Sequence, residues 1–349
     1  ARAVEAWFAV TPGGNLDGRT ILSTPRPRDE VAQGLGMQRA ELDATLDAAI
    51  PILREARAKR PPPFRDEKVQ ASWNGLMISA LSRGAFALNE PRYEAAAVRA
   101  AELVLHARGP GGELRHAWTA GRPGTDAFLD DHAFVAAGLL DLFEVTGDAR
   151  WLREAVGLVD ALEQRYADPV NGGYFLTAGG AAPGAATAPF PRSKPDVDGA
   201  VPSGNAVALM DQLRLAELTT DDRFRQRAET TLRAFAAALD ERPLSLGEMM
   251  LGVELATGEP REIAVVLPDG AAWGSAEPLL AVLRRAFTPD RVMVIAGESD
   301  LAGDLGKLVP WARGKPARGG KPTAYVCRRG ACDLPTGDPA TLAAQIGRR

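Results

Sequence analysis

Cysteine, histidine and long apolar runs are all scarce in this chain. Its 349 residues include 2 Cys and 3 His. Cys327 and Cys332 alone cannot staple a small secreted domain or complete a four-cysteine zinc site. His106, His116 and His132 are too few for a multi-histidine metal centre, and the sequence points to no metal and no cofactor. No apolar stretch approaches the ~20 residues needed to span a bilayer, so no membrane association is expected. Neither sign of charge dominates: 41 basic residues face 45 acidic ones, for a net charge of −4. That balance leaves no electrostatic footprint for nucleic acid or an anionic membrane surface. No signal peptide opens the chain, and a cytoplasmic location is expected. A phosphate-binding glycine loop, a dinucleotide fingerprint and a serine-nucleophile elbow are absent too.

What remains is an ordinary globular composition, 46% hydrophobic and 25% charged, with 36 Gly and 26 Pro. The length suits two domains or one large repetitive one. Internal repeats decide the matter. The segments from Trp73 to Tyr93, Asp131 to Trp151 and Gly204 to Phe224 align without gaps. In each, a polar residue (Asn74, His132, Asn205) precedes an Arg–aromatic pair by the same offset. The pairs are Arg92-Tyr93, Arg150-Trp151 and Arg223-Phe224. Each unit reads as a helix, a short turn and a second helix, which forces antiparallel helical hairpins. In the middle unit Phe134, Leu139, Leu142 and Phe143 mark one apolar face, and Gly147 is the expected C-cap. The recurring aromatic is read as a core residue. Extended Gly-rich loops follow the hairpins, most clearly Asn171-Gly172-Gly173-Tyr174-Phe175. A further helix is predicted from about Ala40 to Lys59, with Pro51 breaking or kinking it.

The texture changes near residue 258. Arg261 to Leu267 is a β-branched apolar run, Glu277 to Phe287 reads as a helix and Arg291 to Ala296 as another strand. That order predicts a parallel βαβ unit. Thr323 to Cys327 extends the sheet, and Asp338-Pro339 opens a last helix as N-cap and first position. The predicted fold is therefore mainly α, a partial toroid of helical hairpins with a small C-terminal α/β unit. Its expected parts are an N-terminal extended segment (1–38), the hairpin toroid (39–258) and the α/β unit (259–349).

Several motifs carry a specific resemblance. They are Arg65-Asp66-Glu67-Lys68, Ser72-Trp73-Asn74-Gly75-Leu76-Met77-Ile78, Leu129-Asp130-Asp131, Asp198-Gly199-Ala200-Val201-Pro202-Ser203-Gly204-Asn205, and Ala324-Tyr325-Val326-Cys327 with Cys332 and Pro335. In this order they resemble the helical and C-terminal part of the thioredoxin-domain-containing proteins of the spermatogenesis-associated protein 20 type. The resemblance implies an (α/α)6 toroid like that of N-acylglucosamine 2-epimerases and six-hairpin glycosidases, preceded in a longer protein by a thioredoxin-like domain. It also implies that this chain, starting at Ala1 and lacking a C-x-x-C motif, is the back portion of such a protein. Glu67 stands where that pattern has Asp, and His132 where it has Tyr.

In such a toroid the inner helices deliver their N-termini to one rim, where unpaired N–H groups and the positive dipole end suit a hydroxyl-rich ligand. Ser72-Trp73-Asn74, Asp130-Asp131-His132 and Ser203-Gly204-Asn205 sit at such helix starts. Asp131, Asp198 and His132 are the catalytic candidates, as carboxylate acid–base groups and a side chain that titrates near neutrality. Arg65, Asp66, Trp73, Asn74, Asp130, Tyr174, Ser203 and Asn205 are the substrate-binding candidates. Asp130 and Ser203 are equally ordinary N-caps. Lys194 and Asp196 are expected in a solvated loop, and His106 and His116 at the surface. Cys327 and Cys332 are read as free buried thiols, although a disulfide or half a metal site fits the spacing. The function expected is carbohydrate processing or carbohydrate binding, with a sugar-like small molecule as partner. The alternative is a non-catalytic binding or scaffold module that partners a thioredoxin-like redox domain.

Overall fold

A computed structural model describes residues 1–119, 122, 124–179 and 191–347. The chain divides into two compact units, Ala1–Glu67 and Lys68–Arg349. The first holds α1 (Arg2–Trp7), α2 (Arg28–Leu35) and α3 (Arg39–Ala58). They close on a small core of Val31, Ala32, Leu42 and Leu46. The expected break at Pro51 does not occur, because α3 runs through it. Pro51 lies on an exposed face, where the N–H it lacks leaves no buried group unpaired.

The second unit begins with a short antiparallel pair, β1 (Val69–Gln70) and β2 (Ala117–Trp118). Three hairpins follow: α4 (Ala71–Leu88) with α5 (Pro91–His106), α6 (Leu129–Thr146) with α7 (Ala149–Tyr166), and α8 (Gly204–Thr219) with α9 (Asp222–Glu241). Helices α4, α6 and α8 pack in sequence as an inner layer. Each is backed by its own partner, and α10 (Gly247–Thr257) adds to α8. This is the partial α/α toroid that the repeat predicts.

The repeated residues have a common physical role. Glu90, Asp148 and Asp221 cap α5, α7 and α9, each accepting a bond from the backbone N–H two residues on. The Arg of each pair then lies over its own aromatic neighbour, at 5.3 Å for Arg92 and Tyr93, 3.9 Å for Arg150 and Trp151, and 4.6 Å for Arg223 and Phe224. Trp151 and Phe224 are buried, as read from the sequence.

Inner helix α6 is buried nearly all round, the pattern of a helix enclosed by neighbours. Its approach to α4 is set by glycine. A Cβ on Gly75 would lie 2.4 Å from the Phe134 backbone, and one on Gly138 would lie 2.6 Å from the Gly75 carbonyl oxygen.

The α/β part comprises β3 (Arg261–Leu267), α11 (Glu277–Arg285), β4 (Arg291–Gly297), the short helices α12 (Glu298–Ala302) and α13 (Asp304–Leu308), β5 (Thr323–Arg328), β6 (Ala331–Cys332) and α14 (Pro339–Gly347). The sheet order is β4-β3-β5-β6, with β3 and β4 parallel and β5 and β6 each antiparallel to the preceding strand in that order. Alternate residues of β3 face opposite layers. Ile263, Val265 and Leu267 pack with Leu279, Leu283, Leu342 and Ile346 of α11 and α14. Ala264 and Val266 join the hairpin core with Leu142, Phe143 and Leu215.

The division of the chain falls at 67/68, whereas sequence texture suggested boundaries near 38 and 258. Helix α3 builds its core with α1 and α2, and one face of the sheet builds its core with the hairpins. Asp338 caps α14 by accepting from the Thr341 N–H at 2.8 Å. The two cysteines are not free: Cys327 and Cys332 form a disulfide between β5 and β6, which are paired directly at those two residues.

Candidate functional site

The N-termini of the inner helices form a hydrogen-bonded rim. Asp131, in the first turn of α6, is 0% exposed. Its carboxylate accepts from the Ser72 N–H at the start of α4 (3.0 Å) and from the Phe128 N–H (2.8 Å). His116 Nδ1 lies 2.9 Å from the same group. His116, expected at the surface, is therefore half-buried and joins the rim. His132 is buried with Nδ1 3.2 Å from the Phe128 carbonyl and its ring edge-on to Tyr166. Burial drives its pKa down to about 4, so it is neutral at physiological pH.

Asn205 is also 0% exposed. It clamps the glycine loop by accepting from the Tyr174 N–H (2.7 Å) and donating to the Tyr174 carbonyl (2.9 Å) and the Pro195 carbonyl (2.8 Å). Gly172 and Gly173 have positive φ, and a Cβ on Gly173 would lie 2.9 Å from the Phe235 ring. Tyr174 is buried, its hydroxyl 2.7 Å from Glu163 and 2.5 Å from Gln212, and burial pushes its pKa well up. Ser203 caps α8 through the Ala206 N–H. Asp198 is half-buried and bridges two helix starts, accepting from Ser203 N–H (2.9 Å) and Glu248 N–H (2.8 Å).

Trp73, Asn74 and Asp130, at the starts of α4 and α6, keep part of their surface free. Trp73 is 64% exposed on α4, with Met77 one turn further along the same face. Asn74 is half-buried and donates to the Gln70 carbonyl at 2.8 Å. Asp130 packs against the first turn of α8, where its Oδ1 would meet a Gly204 Cβ at 2.2 Å. That oxygen is buried without a hydrogen-bond partner. Burial, reinforced by the neighbouring Asp131 carboxylate, raises the Asp130 pKa to about 6.

Arg65 and Asp66 belong to the first compact unit, where Arg65 grips Glu67 at 2.6 and 2.8 Å. Lys194 and Asp196 are not merely solvated. Lys194 pairs with Asp168 at 2.5 Å, and Asp196 with Arg242 at 2.5 Å. The Lys194 contact, with the Val170 and Asn171 N–H groups, holds Asp168 well below the usual carboxylate range.

A charged cluster further along the inner helices escaped the sequence reading. Asp141 of α6 binds Arg214 of α8 (2.8 Å), Arg83 of α4 (2.8 Å) and Ser79, and Arg214 also reaches Glu144 (2.9 Å). Burial alone would raise the Asp141 pKa, but the two guanidinium groups keep it below the ordinary value. Asp211 is buried beside them with neither oxygen hydrogen-bonded, and desolvation holds its carboxyl protonated well above the usual range. Its signal in sequence was faint: Asp141, Asp211 and Arg214 interrupt apolar positions of inner helices. Among the described residues no group of three or more His, Cys, Asp or Glu is arranged to hold a metal ion, and no helix is long and apolar enough to cross a membrane.

No known protein-family profile matches the chain. It is 29% identical over 345 residues to spermatogenesis-associated protein 20 of Homo sapiens, covering 95% of this chain and 42% of that protein. The Mus musculus protein of the same name is 30% identical over 341 residues, with 95% and 42% covered. The chain therefore spans about two-fifths of the length of these relatives. Among solved structures, a cellobiose 2-epimerase from Spirochaeta thermophila superposes with a TM-score of 0.39 at 20% identity, over 48% of this chain and 43% of that one. An α-mannanase of Bacteroides thetaiotaomicron gives a TM-score of 0.38 at 18% identity, over 48% and 44%. The chain is thus similar, over nearly its whole length, to spermatogenesis-associated protein 20.

Proposed function

We propose that the rim formed by the starts of α4, α6 and α8 binds a sugar-like, hydroxyl-rich ligand and carries out acid–base chemistry on it, with Asp130 as the proton donor. The observation that carries this reading is the Asp130 carboxyl. It is desolvated, has an unpartnered oxygen and a pKa of about 6. A carboxyl raised toward neutrality holds a proton that it can deliver to a leaving oxygen. Trp73 offers an exposed ring on which a sugar face can stack, and Asn74 stands beside it.

In this reading Asp131, His132 and Asp198 act as positioning residues. Asp131 ties α4 to α6, His132 braces the Phe128 carbonyl beneath Asp130, and Asp198 ties α8 to α10. Ser203, Asn205 and Tyr174 hold the α8 start and its loop at the depth where Asp130 is desolvated.

The test is a screen of oligosaccharides for hydrolysis or epimerisation, followed by Asp130→Asn on any substrate found. Activity is expected to fall as pH rises through about 6 and to drop at least 100-fold in the variant. An unchanged rate in Asp130→Asn refutes the assignment.

A second reading, the binding or scaffold module beside a thioredoxin-like domain, draws on the disulfide. Cys332 is exposed and its Sγ lies 3.4 Å from Lys315 Nζ, so a partner dithiol has access to it. Such a dithiol would reduce the bond to two thiols and itself become a disulfide. Failure of a thioredoxin to reduce the folded chain would remove this reading.

A further inference from the structure

A separate cavity lies at the other end of the inner helices, where the last turns of α4 and α6 meet α11 and β4. It encloses about 200 Å³ and is lined by Arg83, Phe86, Asp141, Glu144, Arg284 and Arg291, with apolar side chains between them. Its charges do not cancel. Arg214, just behind the wall, is matched by Asp141 and Glu144, and Arg83 shares Asp141. Arg284 is matched by Glu277 at 2.6 Å.

Arg291 has no such match. Its guanidinium donates to Thr288 Oγ1 at 3.1 Å and lies 5.2 Å from the Phe86 ring centre, with no carboxylate at ion-pair distance among the described residues. Arg284 lies over the same ring at 5.5 Å, its other terminal nitrogen donating to Asn89 Oδ1 at 3.0 Å and its Nε buried without a partner. Four arginines therefore meet three ionised carboxylates around one small space, and the guanidinium left without a carboxylate is that of Arg291. Burial disfavours the charged form of Arg291, and the nearby carboxylates of Glu144 and Asp141, opposed by the charges of Arg214 and Arg83, do not offset it. The way in is on the Arg83 side, where that side chain is 70% exposed.

We infer that this cavity is a binding site for a small oxyanion, a phosphate or a carboxylate, held by the guanidinium group of Arg291, with the positive charge of Arg284 beside it. Planar guanidinium groups present paired N–H donors that match the oxygens of either anion. The volume lies below the ~300–1,000 Å³ of drug-sized pockets and suits an inorganic ion or a short organic acid. The site stands apart from the Asp130 rim, and its test does not depend on the function proposed there.

The probe is inorganic phosphate, with acetate and malonate as carboxylate arms and sodium chloride at equal ionic strength as the control. Phosphate or one of the carboxylates is expected to raise the melting temperature of the wild-type chain by at least 3 °C over chloride. The gain should vanish in Arg291→Met and persist in the surface control Arg233→Met. A second measurement, independent of whether Arg291→Met folds, uses the wild type alone. Phenylglyoxal labelling of Arg291, read by peptide mass spectrometry, should slow at least fivefold when the anion is present. A response to phosphate alone, or to carboxylates alone, identifies the source of the oxyanion. If all salts act alike and labelling is unaffected, Arg291 only balances the negative ends of α4 and α6, and the inference is overturned.

Discussion

Replacing Asp130 by Asn should make the protein more stable at pH 8 and leave it unchanged at pH 4. The carboxyl titrates near 3.8 in an unfolded chain and at about 6 in the native one. Between those values the native chain holds a proton that the unfolded chain has released, so stability falls as pH rises from about 4 to about 6 and is flat above. A displacement of about two pH units corresponds to about 3 kcal/mol. Asp130 is not fully enclosed, and solvent screening reduces the expected gain to about 2 kcal/mol. Asn keeps the shape and an oxygen at the buried position while removing the charge and its repulsion with Asp131. Urea denaturation of both proteins at half-unit intervals from pH 4 to pH 8 measures the difference directly. A constant offset across that range, or a variant less stable at pH 8, would falsify the placement of an uncompensated carboxyl at this seam.

Three further outcomes follow from the packing. Asp211→Asn, at a fully buried carboxyl with both oxygens unpartnered, should raise stability by about 1–2 kcal/mol at neutral pH, measured by chemical denaturation; a loss of similar size refutes it. Gly75→Ala drives a methyl group to within 2.4 Å of the Phe134 backbone and should cost at least ~3 kcal/mol, with a much lower melting temperature; a near-neutral result would mean that α4 and α6 are not this close. Thiol titration in denaturant should find no reactive cysteine before reductant and two after it. Reduction should lower stability by about 2 kcal/mol, because the bridge closes only a short loop.

The fold was legible where chemistry repeats. The Arg–aromatic pairs recur because three outer helices begin alike, with an acidic cap and a guanidinium resting on the next ring. The strands of the α/β part were legible as unbroken apolar runs, since β3 is buried on both faces. The unit boundary at 67/68 was not, although Pro61-Pro62-Pro63 and the charged run to Lys68 mark a break just before it, because a division between cores depends on which helix faces meet. Pro51 misled because its penalty falls on an exposed stretch of α3, while the residues that anchor the helix, Leu42 and Leu46, lie before it. The Arg83, Asp141 and Arg214 cluster stayed hidden because its members lie 58 to 131 residues apart and become partners only when three inner helices pack side by side.

The rim was legible as a place but not as a set of roles. Asp130 and Asp131 are chemically identical neighbours at one helix start, and the catalytic role given to Asp131 and the binding role given to Asp130 from sequence had no geometry behind them. A helix turns about 100° between consecutive residues, so the two carboxylates leave in different directions. Asp131 points toward α4 and finds the Ser72 and Phe128 N–H groups and His116; Asp130 points toward α8 and finds the bare Cα of Gly204. One carboxylate is saturated and the other is left wanting. The same substitution should therefore act with opposite signs at the two positions. Asp131→Asn puts an amide donor where backbone N–H donors already converge, and should cost about 2–4 kcal/mol at pH 8. Asp130→Asn under the same conditions should stabilise. Equilibrium denaturation of the two single variants and the double variant decides the point. If both destabilise alike, the division of labour across this helix turn is wrong, and with it the assignment of Asp130 as the proton donor.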